Sequence, residues 1–528
     1  MIKKSPNLSK YAILDKATPD CRPRAFCFTL AHCDAFIAKN FKSGSSISFL
    51  SNNQNRVKKS VLDKFSILFL VVAFFGLANT LSAQVSTSTP RPPLLQTIQI
   101  PNAQEQQQED KSLVQKTASA DIVKPAPISY SPINTSIPLF ENIPIPGYSG
   151  ILVETLDGQI IIESGSNLAY NPASNVKIAT AYAVLKAFRP DFRFKTDVWT
   201  DGSFEVETGT IHGNIFISGQ DPVFNYDHAL TLAEYLNRMG VRSVTGDLVV
   251  TPSFVLAYDN SASRSSARML NALDASRRTA GIIRELENAQ IRRGKSPQNN
   301  PLPAIAISGK SRVDSLPADA KLLITHESAK LIDILKATLS YSNNFVAEKL
   351  GAMVGGPSAI ALAIQKDTGA LPNEFYIQTA SGLGVNRVTP QAMMKLLRLL
   401  RAELAKNRLT FADIMPVAGI DQGTLEGRFD TDFARGSVVG KTGTLGRTDG
   451  GVSSLAGEIY TKNGTLLFVI FNQRGSVSRF RKFQNEYVST IQGQFGGAAP
   501  LDYRPPQLDT RLAETHVNIP RVTRSAGQ

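Results

Sequence analysis

Cysteine is nearly missing from this chain of 528 residues: it has three, Cys21, Cys27 and Cys33, all close to the N-terminus. The rest of the sequence needs no disulfide and can build no Cys-ligated metal site. Histidine is scarce too, with five in all. None fits a Ser-His-Asp arrangement; His212 lies in a strand pattern and His326 precedes a helix pattern, which are structural readings. A dense Lys/Arg stripe with interleaved aromatics is also lacking, despite a formal charge of +13. Twelve Lys/Arg against four Asp/Glu fall within residues 1–83, so most of the surplus sits there. Nucleic-acid binding is therefore not expected. No internal repeat is evident.

One uncharged apolar run stands out, Phe65 to Leu77. Lys58, Lys59 and Lys64 precede it, and Leu81-Ser82-Ala83 follows before Gln84. That is the order of a secretory signal peptide, which predicts export to the periplasm or cell envelope. An uncleaved N-terminal anchor is the alternative, and would be the one membrane contact. A signal peptide beginning this late implies translation from close to Val57, with residues 1–56 upstream of the true start. Residues 84–140 are rich in Gln, Pro, Ser and Thr and read as a disordered linker, and residues 496–528 as a disordered tail.

Between them, Ile151–Glu154 and Gln159–Ile162 flank Asp157-Gly158 as a β-hairpin. A helix pattern runs from Ser174 to about Ala187. Strand runs alternate with turn residues over 195–255, and residues 262–296 have helical spacing. A helix near Lys330–Leu339 follows, then strands at Gly451–Tyr460 and Thr465–Asn472. Early strands, a helical middle and late strands predict one antiparallel sheet shared by both ends of the chain, an α+β fold.

The chemistry is carried by three short motifs. Ser174-Asn175-Val176-Lys177 puts a hydroxyl and an amine three residues apart at a helix start, hence on one face. A desolvated lysine can take the serine proton and make the hydroxyl a nucleophile. Ser342-Asn343-Asn344 and Lys441-Thr442-Gly443 follow. The alternative for Ser174 is a helix N-cap, and for Lys441-Thr442-Gly443 a polar strand end with a turn glycine. In order, S-x-x-K, S-x-N and K-T-G resemble the signature set of penicillin-binding proteins and serine β-lactamases.

Longer runs narrow the resemblance. Gly219-Gln220-Asp221-Pro222, Thr245-Gly246-Asp247-Leu248, Ser342 to Glu348, Ser381-Gly382-Leu383, Asn386 to Pro390, Pro416 to Gly419 and Gly451 to Gly457 are similar to the D-alanyl-D-alanine carboxypeptidase/endopeptidase family of low-molecular-mass penicillin-binding proteins, peptidase family S13. The resemblance covers roughly residues 145–495. It implies a penicilloyl-serine transferase domain with an antiparallel sheet and flanking helices over 141–195 and 322–495. It also implies an inserted, mostly β domain over 196–321. Ser174 would attack a D-Ala-D-Ala carbonyl or a β-lactam, with Lys177 as base. Ser342 would pass a proton to the leaving amine, and Asn344 would hold Lys177 and the substrate amide. Lys441 would supply positive potential for the terminal carboxylate and depress the Lys177 pKa. Thr442 and Thr444 would bind that carboxylate beside Gly443. Backbone N–H groups of Ser174 and Thr444 would form the oxyanion hole. The implied partners are peptidoglycan stem peptides and β-lactam antibiotics, and no metal or organic cofactor is needed. Thr379-Ala380 where Asp-Gly is usual, and a longer Gly446–Gly450 loop, depart from the family.

Two other readings compete. A β-lactamase or esterase of the same fold would need, in its class A form, an acidic residue for the deacylating water, and no E-x-x-L-N run follows Asn344. Its class C form needs Y-x-N, which Tyr341-Ser342-Asn343 offers. A catalytically silent wall-binding protein would have no reason to keep Ser174, Lys177 and Lys441 together.

Overall fold

The computed structural model describes residues 131–520. The N-terminal extension, signal segment and most of the expected linker, with the last eight residues, lie outside them. Among the described residues no helix is long and apolar enough to cross a membrane.

A six-stranded antiparallel sheet runs in the order Asn134–Thr135, Ile160–Ser164, Tyr148–Thr155, Gly464–Gln473, Val452–Thr461, Val438–Leu445. Both ends of the chain thus meet in one sheet, through the pairing of Leu152 with Val469 at its centre. The strand Gly464–Gln473 is an almost unbroken apolar run because both of its faces are covered. Its period-two alternation divides the core. Leu467, Val469 and Phe471 face a helical layer that includes Val176–Ala187, Leu331–Ser340, Asn344–Met353, Gly356–Thr368 and Pro390–Ala405. Leu466, Phe468 and Ile470 face the other side, where Tyr487, Val488 and Ile491 of the helix Val477–Gln494 pack. The helix Val176–Ala187 is buried through Leu185, as expected of a helix apolar on all sides. It gives the preceding turn a rigid base.

A second six-stranded sheet, in the order Ser311–Val313, Leu248–Val250, Ile215–Gly219, Arg193–Thr200, Lys321–Lys330, His516–Asn518, has its own hydrophobic core. A four-stranded sheet of short strands lies in the same stretch of chain. The reading of residues 195–255 as strands alone, and of the insert as mostly β, misses the helix Tyr226–Arg238. Asn225 caps it reciprocally with His228: its side chain accepts from the His228 N–H, and the His228 ring accepts from the Asn225 N–H. The capping partner is a histidine, so the usual Glu or Gln signal is absent. The expected boundaries at 195/196 and 321/322 cut through two strands that pair with each other along their length.

Two expected disordered stretches are ordered where described. Residues 134–135 pair with 162–163, and Phe140 is fully buried. After residue 496, Tyr503 donates to Asp421, Leu508–Leu512 is helical, and His516–Asn518 pairs with Thr325–Glu327. Composition gives no hint of this order, because a few anchors, Phe140, Tyr503 and Leu508, do the packing.

Candidate active site

Ser174 lies in a tight turn, Ala173–Asn175, immediately before the helix that carries Lys177. Two glycines fix that turn. A Cβ on Gly382, whose φ is +88°, would overlap the Ala173 carbonyl oxygen. A Cβ on Gly443 would overlap Ser454 and sit 2.6 Å from the Pro172 oxygen. Only glycine lets two segments press so closely on one backbone turn. Ala173 itself has φ +47°, a conformation costing about 1–3 kcal/mol that persists where the surroundings over-determine it. The Asn171 side chain accepts from the Ala173 N–H at 3.0 Å. Asn171 also donates to Asp449 at 2.7 Å and to the Gly384 carbonyl at 2.9 Å. Asp449 grips Arg387 with both oxygens, at 2.8 and 3.0 Å. The longer loop after the third motif is therefore a brace for the nucleophile turn.

Three segments meet at Lys177. Its Nζ is 3.1 Å from Ser174 Oγ, 2.6 Å from Asn344 Oδ1 and 2.7 Å from the Ser381 carbonyl oxygen. The residue is 1% exposed. Burial pushes its amine down to about 7, and the Glu348 carboxylate opposes that shift. Glu348 accepts from the Ser381 and Ala380 N–H groups, at 2.9 and 3.3 Å, and so holds the loop whose carbonyl Lys177 uses. It was not among the expected site residues, although it stands four positions after Asn344 on one helix face.

Ser342 has φ +55° and lines the same cleft as Ser174. A Cβ on Gly423, at φ +116°, would overlap the carbonyl oxygen of Ser340, so a third glycine backs this turn. The loop before Gly423 is fastened by buried Lys336, which donates to Asp421 and to the carbonyls of Ala412 and Met415 at 2.6–2.8 Å. The Tyr341 hydroxyl donates to Gln422 at 3.2 Å. Ser342 and Asn344 of the S-x-N frame line the cleft with Ser174, and Asn344 contacts Lys177.

Lys441, Thr442, Gly443 and Thr444 lie on the edge strand Val438–Leu445. Thr442 and Thr444 line the cleft. Lys441 does not: it is 0% exposed, and its Nζ donates to the Thr442 carbonyl at 2.8 Å. Burial, then the Lys177 charge, holds its amine well below the usual lysine range. Burial is the leading cause of the shift at both amines, and the repulsion between them works against a charge on either. The cations that do line the cleft, Arg428 and Arg481, come from segments no motif marks. The cleft has a volume of about 710 Å³, and no Asp or Glu lines it among the described residues. His228 and His326, buried ring against ring at 4.9 Å, are not among its lining residues.

A nucleophilic serine, a buried amine within proton-transfer reach and a second serine lining the same cleft define a serine acyl-transfer enzyme with a lysine base. The model of the D-Ala-D-Ala carboxypeptidase 3 (S13) family matches residues 145–271 and 258–490. The chain belongs to that family, and its class of enzyme is the serine-type D-Ala-D-Ala carboxypeptidase. It is similar to the D-alanyl-D-alanine carboxypeptidase DacB of Haemophilus influenzae, 23% identical over 460 residues, or 67% of this chain and 91% of that protein. The D-alanyl-D-alanine carboxypeptidase of an Actinomadura species is 24% identical over 425 residues, 61% of this chain and 77% of that one. Among solved structures, the penicillin G-acylated Bd3459 predatory endopeptidase of Bdellovibrio bacteriovorus has the same fold. The TM-score is 0.56 at 23% identity, over 68% of this chain and 95% of that one.

Proposed function

We propose that this enzyme hydrolyses the D-Ala-D-Ala ends of peptidoglycan stem peptides, and D-Ala cross-links, through an acyl-enzyme on Ser174, and that β-lactams acylate the same hydroxyl. The observation that carries the reading is the set of contacts at Lys177 Nζ. A neutral amine has two N–H bonds and one lone pair. Asn344 Oδ1 and the Ser381 carbonyl accept the two N–H bonds, which leaves the lone pair for the Ser174 O–H. With its pKa near 7, the amine is neutral in a large fraction of molecules at neutral pH.

Ser174 Oγ attacks the scissile carbonyl as its proton passes to Lys177. The developing oxyanion is received by the backbone N–H groups of Ser174 and Thr444. The C–N bond then breaks as Ser342 passes a proton to the departing amine and takes one back from Lys177, which leaves that amine neutral for the next step. Water, deprotonated by Lys177, attacks the ester carbon, and Ser174 recovers its proton. Asn344 keeps Lys177 aligned. Lys441, buried beside it, raises the cost of a second positive charge in the site. Thr442 and Thr444 frame the substrate, and Gly443 leaves room for the turn. The implied address is the periplasm or another part of the cell envelope.

The test is to incubate the chain from Gln84 onward with labelled penicillin and with muropeptides. An adduct on Ser174 and release of D-alanine are expected. A folded chain labelled on a different serine, or on none, would overturn the reading.

A further inference from the structure

Two arginines with no acidic partner among the described residues, Arg428 and Arg481, line the cleft together with Ser174. Arg481, on the helix Val477–Gln494, donates from Nη2 to Thr444 Oγ1 at 2.9 Å. Its guanidinium is thereby fixed beside the strand on which the substrate would lie, with further N–H groups still to be used. Arg428 is 8% exposed, and its bonds go to neutral acceptors, Asn485 Oδ1 at 2.8 Å and Gln484 Oε1 at 3.1 Å. Gln484 is itself anchored, donating to Asn472 at 2.9 Å. Burial, and then the positive charge of Arg481, pulls the Arg428 pKa down to about 10. Of the acidic side chains nearby in sequence, Asp430 and Glu486 pair with Arg435 and Lys482, and Glu426 accepts from the Gly423 N–H.

Two like charges held on one wall without a counter-ion leave a repulsion that a bound anion relieves. Native proteins rarely bury an arginine without a carboxylate unless a ligand supplies it. The cleft has no other cation to offer, since Lys441 is buried with its amine on the Thr442 carbonyl.

Resting on the peptidase reading above, we infer that Arg481, supported by Arg428, recognises the α-carboxylate of the leaving D-amino acid, so that these two arginines and not Lys441 set the requirement for a free carboxylate. The chemistry applies to both proposed reactions. A terminal D-Ala and the amine-donating D-centre of a cross-link each carry a carboxylate on the carbon next to the scissile nitrogen. Thr442 and Thr444 then orient that carboxylate while Arg481 supplies the charge, in the planar two-point geometry that guanidinium favours.

The experiment compares kcat/KM on acyl-D-Ala-D-Ala with that on its C-terminal methyl ester for the wild-type chain, R481Q, R481K and R428Q. R481Q removes the charge and keeps a donor for Thr444. It is expected to lose roughly 30- to 100-fold on the free acid, the scale of one charge-assisted hydrogen bond, and less than about threefold on the ester. R481K should recover part of the loss, mainly through KM. Equal losses on acid and ester in R481Q would overturn the inference. If R481Q lacks a native near-UV circular dichroism spectrum, R428Q decides, because it leaves the Thr444 contact in place. A fall of about fivefold or more in its acid-over-ester preference supports the inference, and an unchanged preference overturns it. Failure of the underlying peptidase reading is seen separately, as a wild-type chain that turns over neither substrate, and it removes this inference too.

Discussion

The floor and the far wall of the cleft are built on different principles. The floor, formed by the turn at Ser174, the loop at Ser381 and the strand at Lys441, is held by backbone pressed on backbone through Gly382 and Gly443. The far wall is made of long side chains, Arg428, Arg481 and Asn485, held by neutral hydrogen bonds. Positions on the floor have little room to shift, because a Cβ at either glycine would overlap a neighbour, and bond-making needs that constancy. Positions on the wall can change identity while the scaffold stays, as recognition needs. The lesson is that damage to the floor should reach every acyl donor, and damage to the wall should separate one donor from another.

The largest test of that division is Ser174→Ala. Penicillin labelling should vanish while the thermal melt stays close to wild type, and mass spectrometry of the adduct reads the outcome. Next is Gly382→Ala. An added methyl cannot fit against the Ala173 carbonyl, so the turn must move. A displacement of about 1 Å at a reacting atom costs on the order of 10²-fold. The loss in acylation rate should be the same for penicillin and for a small thioester; a loss confined to one would break the floor-and-wall distinction. Ser342→Ala should slow turnover by the same order, roughly 10²-fold, as for a proton-transfer group.

A pH profile sharpens the picture further. Lys177 acts as a base when neutral, and its pKa is about 7. Penicillin acylation should therefore rise about tenfold per pH unit below 7 and flatten above it. A profile still climbing toward pH 10 would mean that burial does not depress this amine. The smallest effect is Tyr341→Phe, which should leave acylation within about twofold, because that hydroxyl donates to Gln422.

Legibility in the sequence follows the same line. Ser174, Lys177, Ser342, Asn344 and the strand at Lys441 could be read because their chemistry depends on spacing within short segments. The shared antiparallel sheet could be read because the strand Gly464–Gln473 is apolar on both faces. Glu348 and Asp449 could not, since each works by touching backbone or side chains distant in sequence, over 33 positions for Glu348 and Ser381 and 278 for Asn171 and Asp449. Lys441 misled for the opposite reason. Its motif gives its place on the strand, but nothing in three letters tells that its amine is buried. The helix Tyr226–Arg238 escaped because its cap is closed by a histidine. The ordered tail escaped because composition cannot register a few well-placed anchors.

The central sheet has a consequence for the order of synthesis. Asn171, beside the nucleophile turn, donates its backbone N–H to the Gln473 side-chain oxygen, 302 positions later. The cleft joins segments made early with segments made almost last, and such long-range closure is slow. A chain emerging from the ribosome or crossing a membrane carries Ser174 and Lys177 long before the edge strand, Arg481 or the brace at Asp449 exists. The cleft therefore assembles only when nearly the whole described length is available to fold.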